Sequence, residues 1–330
     1  MRHACLLFAA APLFAGESIG SFDRAAPEFD ELVPKDAKIE KLADGFSWAE
    51  GPVWLPKTAT GGGFVVFSDV PNNRVNKWTP AGGIEVFLQP SGYTSGEPRG
   101  GETGSNGLAV GPTGRLTLCQ HGDRRVAELQ PDGTFKTLAG KFEGKRFSSP
   151  NDLCFHANGD LYFTDPPYGL EGGMKSAKKE LPFQGVFRIA KDGQLSAVVK
   201  DLSFPNGVQL SPDDKILYVA ISDGRNPVIM AYDVLADGNV ANGRVFFDTT
   251  KWLKQGLRGA PDGLKVDAKG NVFSTGPGGV FVISPAGKYL GRIDPGLTAN
   301  CAWGDDGSTL YMTSDKTFCR VKTATKGKGF

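Results

Sequence analysis

The sequence predicts an all-β protein, a six-bladed β-propeller with four antiparallel strands per blade and a ring closed by an N-terminal strand. Three observations lead there. First, 45 Gly, 22 Pro and 22 Phe among 330 residues, with only 22% charged and no long helical periodicity, suit many short strands joined by tight turns. Second, one pattern recurs six times: a short polar residue, alternating apolar positions, a turn such as Pro-x-Gly or Asn-Gly, and a second apolar strand. Third, the last copy has too little chain left for four strands, whereas a strand-like "KIEKLA" from Lys38 precedes the first. That segment is expected to complete the final blade, because a closed ring leaves no bare edge.

Taken in chain order, residues 1–16 ("MRHACLLFAAAPLFAG") carry one Arg, a short apolar run and small residues, the pattern of a cleaved signal peptide, so the mature protein is expected to be exported. The run is too short to span a bilayer, and none later reaches that length. Residues 17–36 form a lead-in, and 37–330 a single propeller domain. The repeats start at "EGPVWLP" (Glu50), "NGLAVGPTGRLTLC" (Asn106), "NDLCFHANGDLYFT" (Asn151), "NGVQLSPDDKILYVA" (Asn206), "DGLKVDAKGNVFST" (Asp262) and "NCAWGDDGSTLYMT" (Asn300). The spacing of 38 to 56 residues, with further strands such as "RVAELQ" and "GVFRIA", fits blades rather than a helical solenoid.

Charge narrows the partners. Lys and Arg total 37 against 36 Asp and Glu, a net charge of +1, so neither nucleic acid nor an anionic membrane has an electrostatic footprint here. A small molecule is the expected partner. Cys5 lies in the leader. Cys119, Cys154, Cys301 and Cys319 sit in apolar strand-like runs and read as buried free thiols, with a Cys119–Cys154 bridge as the alternative.

In a propeller the first strand of each blade lines the central channel. In register, Glu50, Asn106, Asn151, Asn206, Asp262 and Asn300 therefore face one axis. Turn chemistry explains repeated Asn-Gly and Asp-Gly, but Glu50 has no turn role and would crowd other oxygens. A hard divalent cation resolves the conflict, because mixed carboxylate and amide oxygens suit Ca²⁺ or Mg²⁺, and Glu50 with Asp262 supplies two negative charges.

Through these motifs the chain resembles the family of senescence marker protein (regucalcin) and gluconolactonase, six-bladed propellers that hydrolyse lactones. The matching residues are "EGPVW" at 50–54, "SNGL" at 105–108, "SPNDLCF" at 149–155, "LYFTDPPYGL" at 161–170, "PNGV" at 205–208 and "PDGLKVD" at 261–267. The resemblance implies that Glu50, Asn151, Asn206 and Asp262 hold the metal, that Asp262 doubles as general base, and that Asn106 belongs to the pocket wall. Ser149 stands where mammalian members carry a sugar-binding Arg, so that subgroup's substrate contacts do not transfer; "TDPPYGL" resembles microbial gluconolactonases instead.

The expected reaction is opening of a sugar lactone, with one divalent ion polarising the carbonyl. Ca²⁺ is favoured, with Mg²⁺, Mn²⁺ or Zn²⁺ as other candidates. Ca²⁺ acidifies water weakly, so a carboxylate base is needed; Asp262 is the candidate, with Glu50 chiefly a ligand. His121, Tyr168, Asn106 and Asn300 are candidate substrate contacts, each with a packing or surface role as its alternative. The Gly-rich segment 90–104 reads as a substrate lid, and the Lys-rich 171–185 as a solvated loop. No Gly-x-Ser-x-Gly elbow and no phosphate-cradling loop occur. Two rival readings remain: a non-catalytic propeller that the cation merely rigidifies, and a hydrolase acting on aryl or phosphate esters.

Overall fold

The computed structural model describes residues 16–57 and 63–330. The expected leader lies outside the described residues except for Gly16, as do Cys5 and His3. Six antiparallel sheets form the blades of the ring. Their inner strands are Ala49–Leu55, Ser105–Val110, Leu153–Phe155, Pro205–Leu210, Leu264–Val266 and Asn300–Gly304, here counted as blades 1 to 6.

Closure occurs as the leftover chain requires. Ile39–Asp44 pairs antiparallel with Thr317–Lys322, the last strand of blade 6, with Ile39 opposite Val321 and Glu40 opposite Arg320. Arg320 Nε donates to Glu40 Oε2 at 2.8 Å, and Ile39 is buried beneath the pairing. At the seam between blades 6 and 1, Phe67 stacks on Phe318 with centroids 4.4 Å apart.

The lead-in is more structured than its sequence suggests. Ser18–Ile19 adds a fifth strand to blade 6, and Ser21–Arg24 adds one to blade 5 along Tyr289–Asp294. Between them and the closing strand, the helix Pro27–Leu32 starts with Pro at its first turn beside Glu28 and Asp30, which suit a helix N-terminus. It buries Phe29 and Leu32 in the core shared by blades 5 and 6. One segment thus fastens two blades.

All four described cysteines are free and buried. Cys119 packs in the cluster with Phe147 and Phe163, whereas Cys154 faces Val208 and Val219 of blade 4, so they occupy separate cores and the alternative bridge is not made. Burial pushes the thiols of Cys154, Cys301 and Cys319 up to about 12. Among the described residues no helix is long and apolar enough to cross a membrane.

Candidate active site

Every ring residue stands at the start of its inner strand or just before it, and the Gly that follows Glu50, Asn106, Asn206 and Asp262 serves close packing at the axis. A Cβ on Gly51 would meet Asn106 O at 2.2 Å, and one on Gly207 would meet Asp262 O at 2.1 Å, so these glycines let adjacent inner strands approach the axis. Bulges at Glu50/Val53, Ser105/Leu108 and Pro205/Val208 break the pairing register at the same level. Such breaks re-aim side chains. Hydroxyls of neighbouring strands then fix the backbone: Ser68 Oγ donates to Asn106 O at 2.8 Å and Thr164 Oγ1 to Asn206 O at 2.6 Å.

The ring opens into a cavity of about 460 Å³ lined by Trp48, Glu102, Tyr168, Gly259, Ala260 and residues 297–299 together with Glu50, Asn106, Asn151, Asn206 and Asp262. Glu50 is buried, accepting from Gly51 N at 3.1 Å, Trp48 Nε1 at 3.4 Å and Asn300 Nδ2 at 3.4 Å. Asp262 keeps partial exposure, yet its Oδ1 is buried without a partner, and so is Asn106 Oδ1. Asn151 Nδ2 donates to Asn206 Oδ1 in a short bond. Asn206 Nδ2 donates to Ser222 Oγ at 3.0 Å, which donates to Pro261 O at 2.6 Å.

Electrostatics mark the same place. Burial, with some repulsion from Asp152, raises Glu50 from its ordinary 4.5 to about 7. Burial and then the charges of Glu50 and Asp152 hold Asp262 well above the usual carboxylate range. Buried oxygens that repel one another and lack donors are what a hard cation neutralises. Among the described residues no three His, Cys, Asp or Glu side chains converge as a metal centre; the set that fits is two carboxylates with amide oxygens.

Two expected substrate contacts stand behind the wall instead. His121 is fully buried, with Nδ1 2.7 Å from Glu102 Oε2 and Nε2 3.2 Å from Asn151 Oδ1. Asn300, also buried, donates to Glu50 and accepts from Cys301 N at 2.9 Å. Neither side chain is free to meet a ligand. Tyr168 does line the cavity, stacked on Phe204 with its hydroxyl donating to Phe204 O at 3.3 Å. Segment 90–104 is a pinned wall rather than a loose lid: Asn73 Oδ1 accepts from Ser91, Gly92 and Tyr93 N, and Arg99 donates to the carbonyls of Glu102, His121, Gly122 and Gly169.

Sequence reasoning missed Asp152 and Glu102. Asp152 lies buried beside the ring, its Oδ1 accepting from Leu153 N at 2.9 Å and its Oδ2 unpartnered, with its carboxyl raised by burial against the pull of Lys265. A signal existed, because Gly follows Glu50, Asn106, Asn206 and Asp262 but Asp follows Asn151. Glu102 was the one acid of "RGGETG". A larger cavity, about 590 Å³, opens between Trp54, Trp303 and Phe330, but its acid Asp305 is engaged by Thr309, Tyr311 and Lys322. The raised carboxyls Glu50 and Asp262 line the smaller one.

Fold and pocket together define a six-bladed β-propeller with an oxygen-lined axial cavity. Residues 48–316 match the SMP-30/Gluconolactonase/LRE-like region, and the chain belongs to that family. It is 40% identical over 319 residues to a gluconolactonase of Zymomonas mobilis, covering 94% of this chain and 88% of that protein. A solved gluconolactonase of Xanthomonas campestris superposes with a TM-score of 0.80 at 30% identity, over 94% of this chain and 98% of the other. A calcium-binding protein, regucalcin, of Agrobacterium tumefaciens shares the fold with a TM-score of 0.66 at 19% identity, over 88% of this chain and 94% of the other. The activity these relatives support is lactone hydrolysis, which sets aside the non-catalytic reading.

Proposed function

We propose that the enzyme opens a sugar lactone of the glucono-δ-lactone type in a reaction that depends on one divalent cation. The observation that carries this is the pairing of two raised carboxylates, Glu50 and Asp262, with unpartnered buried oxygens at one cavity floor. Glu50, Asn151, Asn206 and Asp262 would hold the ion, and their oxygens suit Ca²⁺. When bound, the ion supplies Lewis-acid polarisation of the lactone carbonyl.

The remaining work falls to side chains. Asp262, the partly exposed member of the ring, takes a proton from the attacking water. Glu50, held by three donors, stays in place as a ligand. Trp48 and Tyr168 flank the cavity and position the sugar ring, with Asn106 as the polar contact on the wall. The apolar leader makes export part of the proposal; the N-terminal sequence of the secreted protein tests it.

The deciding experiment follows glucono-δ-lactone hydrolysis by chelator-stripped protein, restoring Ca²⁺, Mg²⁺, Mn²⁺ and Zn²⁺ singly, with Asp262→Asn alongside. Turnover that returns with a cation and is lost in the variant supports the reading. Full turnover in chelator, or in Asp262→Asn, overturns it.

A further inference from the structure

We propose that the far mouth of the central channel is a second small-molecule site, taking an aromatic carboxylate with its rings among Trp54, Phe155 and Phe330 and its charge on Lys265 and Gln209. The inference does not depend on the cation site proposed above. Three residues beyond the ring residues, the six inner strands place Val53, Ala109, Cys154, Gln209, Lys265 and Trp303, and all of these line the cavity of about 590 Å³. Only Gln209 and Lys265 interrupt an otherwise apolar tier.

Those two are neighbours. A Cβ on Gly207 would lie 2.9 Å from Gly263 Cα, so Gln209 and Lys265, each two residues further along, stand at about one depth on adjacent strands. Gln209 Oε1 accepts from Leu210 N at 3.0 Å, which leaves Nε2 a donor without a partner among the described residues. Lys265 Nζ donates to Leu264 O at 3.0 Å, and among the described residues no carboxylate, side-chain or terminal, lies within ion-pair distance of it. Asp152 feels the pull of Lys265 without forming an ion pair. Of the other charges lining the cavity, Lys328 is paired with Asp214 and Asp305 with Lys322, while Lys57 adds a second positive charge. Two adjacent donors and an uncommitted positive charge in an apolar wall call for an anion, and a carboxylate brings an acceptor oxygen for each donor.

The walls select the body of the ligand. Trp303 Nε1 already donates to Val266 O at 3.1 Å, so its indole offers the cavity only apolar surface. Trp54 is backed by Tyr311, with ring centroids 6.5 Å apart, and Phe330 is 48% exposed. Aromatic rings gain from offset or edge-on contact with other rings beyond the area they bury. A sugar would instead bring hydroxyls that these walls cannot satisfy. The volume lies inside the range of about 300–1,000 Å³ usual for small-molecule sites.

The test titrates the native protein calorimetrically with naphthoate and with its uncharged amide, naphthamide, in wild type, Lys265→Met and Gln209→Leu. Crystals grown with bromonaphthoate locate the ligand by the anomalous signal of bromine. The expected result is naphthoate binding to wild type about 10- to 100-fold more tightly than naphthamide, with that preference lost in Lys265→Met and reduced in Gln209→Leu. Bromine should lie beside Trp54 and Phe330. Equal affinity for acid and amide in wild type overturns the proposal without any variant having to fold. So do a lack of binding at millimolar naphthoate, a preference that persists in Lys265→Met, or bromine lodged beside Trp48 in the axial cavity. None of these results bears on lactone turnover, which stands or falls by its own experiment.

Discussion

Replacing Glu50 by Gln should stabilise the protein in chelator while abolishing turnover. Glu50 rises from 4.5 to about 7 in the fold, and at about 1.36 kcal/mol per pH unit that difference is worth about 3 kcal/mol. Because the native carboxyl keeps its proton where the unfolded one has lost it, the unfolded state binds fewer protons between these values, and stability falls as pH rises from about 4.5 through 7. Gln keeps the size and the acceptor for Gly51 N and has no charge to bury. The stability difference between Glu50→Gln and wild type should therefore widen by about 2.5 kcal/mol from pH 5 to pH 8 in EDTA, with the variant the more stable. Urea unfolding followed by tryptophan fluorescence measures it, and taking the difference cancels Asp165, which burial raises to about 7 with the same sign. Calcium at 1,000 times its Kd should invert the order, since it then adds about 4.1 kcal/mol to the chain that binds it. A variant no more stable than wild type at pH 8 in EDTA would refute the claim that burial of this charge is a cost the cation relieves.

Asp262→Asn should lower kcat by at least about 10²-fold while calorimetry still detects calcium, because the amide keeps an oxygen donor and loses the base. The four described cysteines should not react with an aromatic disulfide reagent in native buffer and should all react in urea, since each is buried and burial raises every thiol. Ile39→Ala, at the closing strand, should cost about 2–5 kcal/mol in urea unfolding without changing KM.

The propeller was legible because its repeat is local: each unit states its own turn and strand pair, and the missing strand announced the closure by Ile39–Asp44. The axial ring was legible for the same reason, from register alone. Glu102 was not, and His121 was read only as a substrate contact, because what joins them to Asn151 is a hydrogen-bond chain across two blades, with sequence separations of 19 and 30 residues. The inserted strands Ser18–Ile19 and Ser21–Arg24 escaped because two- and four-residue segments carry too few positions to show alternation.

The fastening of blades 5 and 6 by residues 18–44 also orders events in time. Those residues leave the ribosome long before their partners, Tyr289–Asp294 and Thr317–Lys322. Through most of synthesis the opening segment has nowhere to dock, and the growing arc of blades keeps an open end. Long-range pairings of this kind form slowly. The later strands therefore act as a completion check: a chain cut short before residue 289 lacks the strands on which residues 18–44 close, and it exposes Phe29 and Ile39 as unburied apolar surface for quality control to recognise.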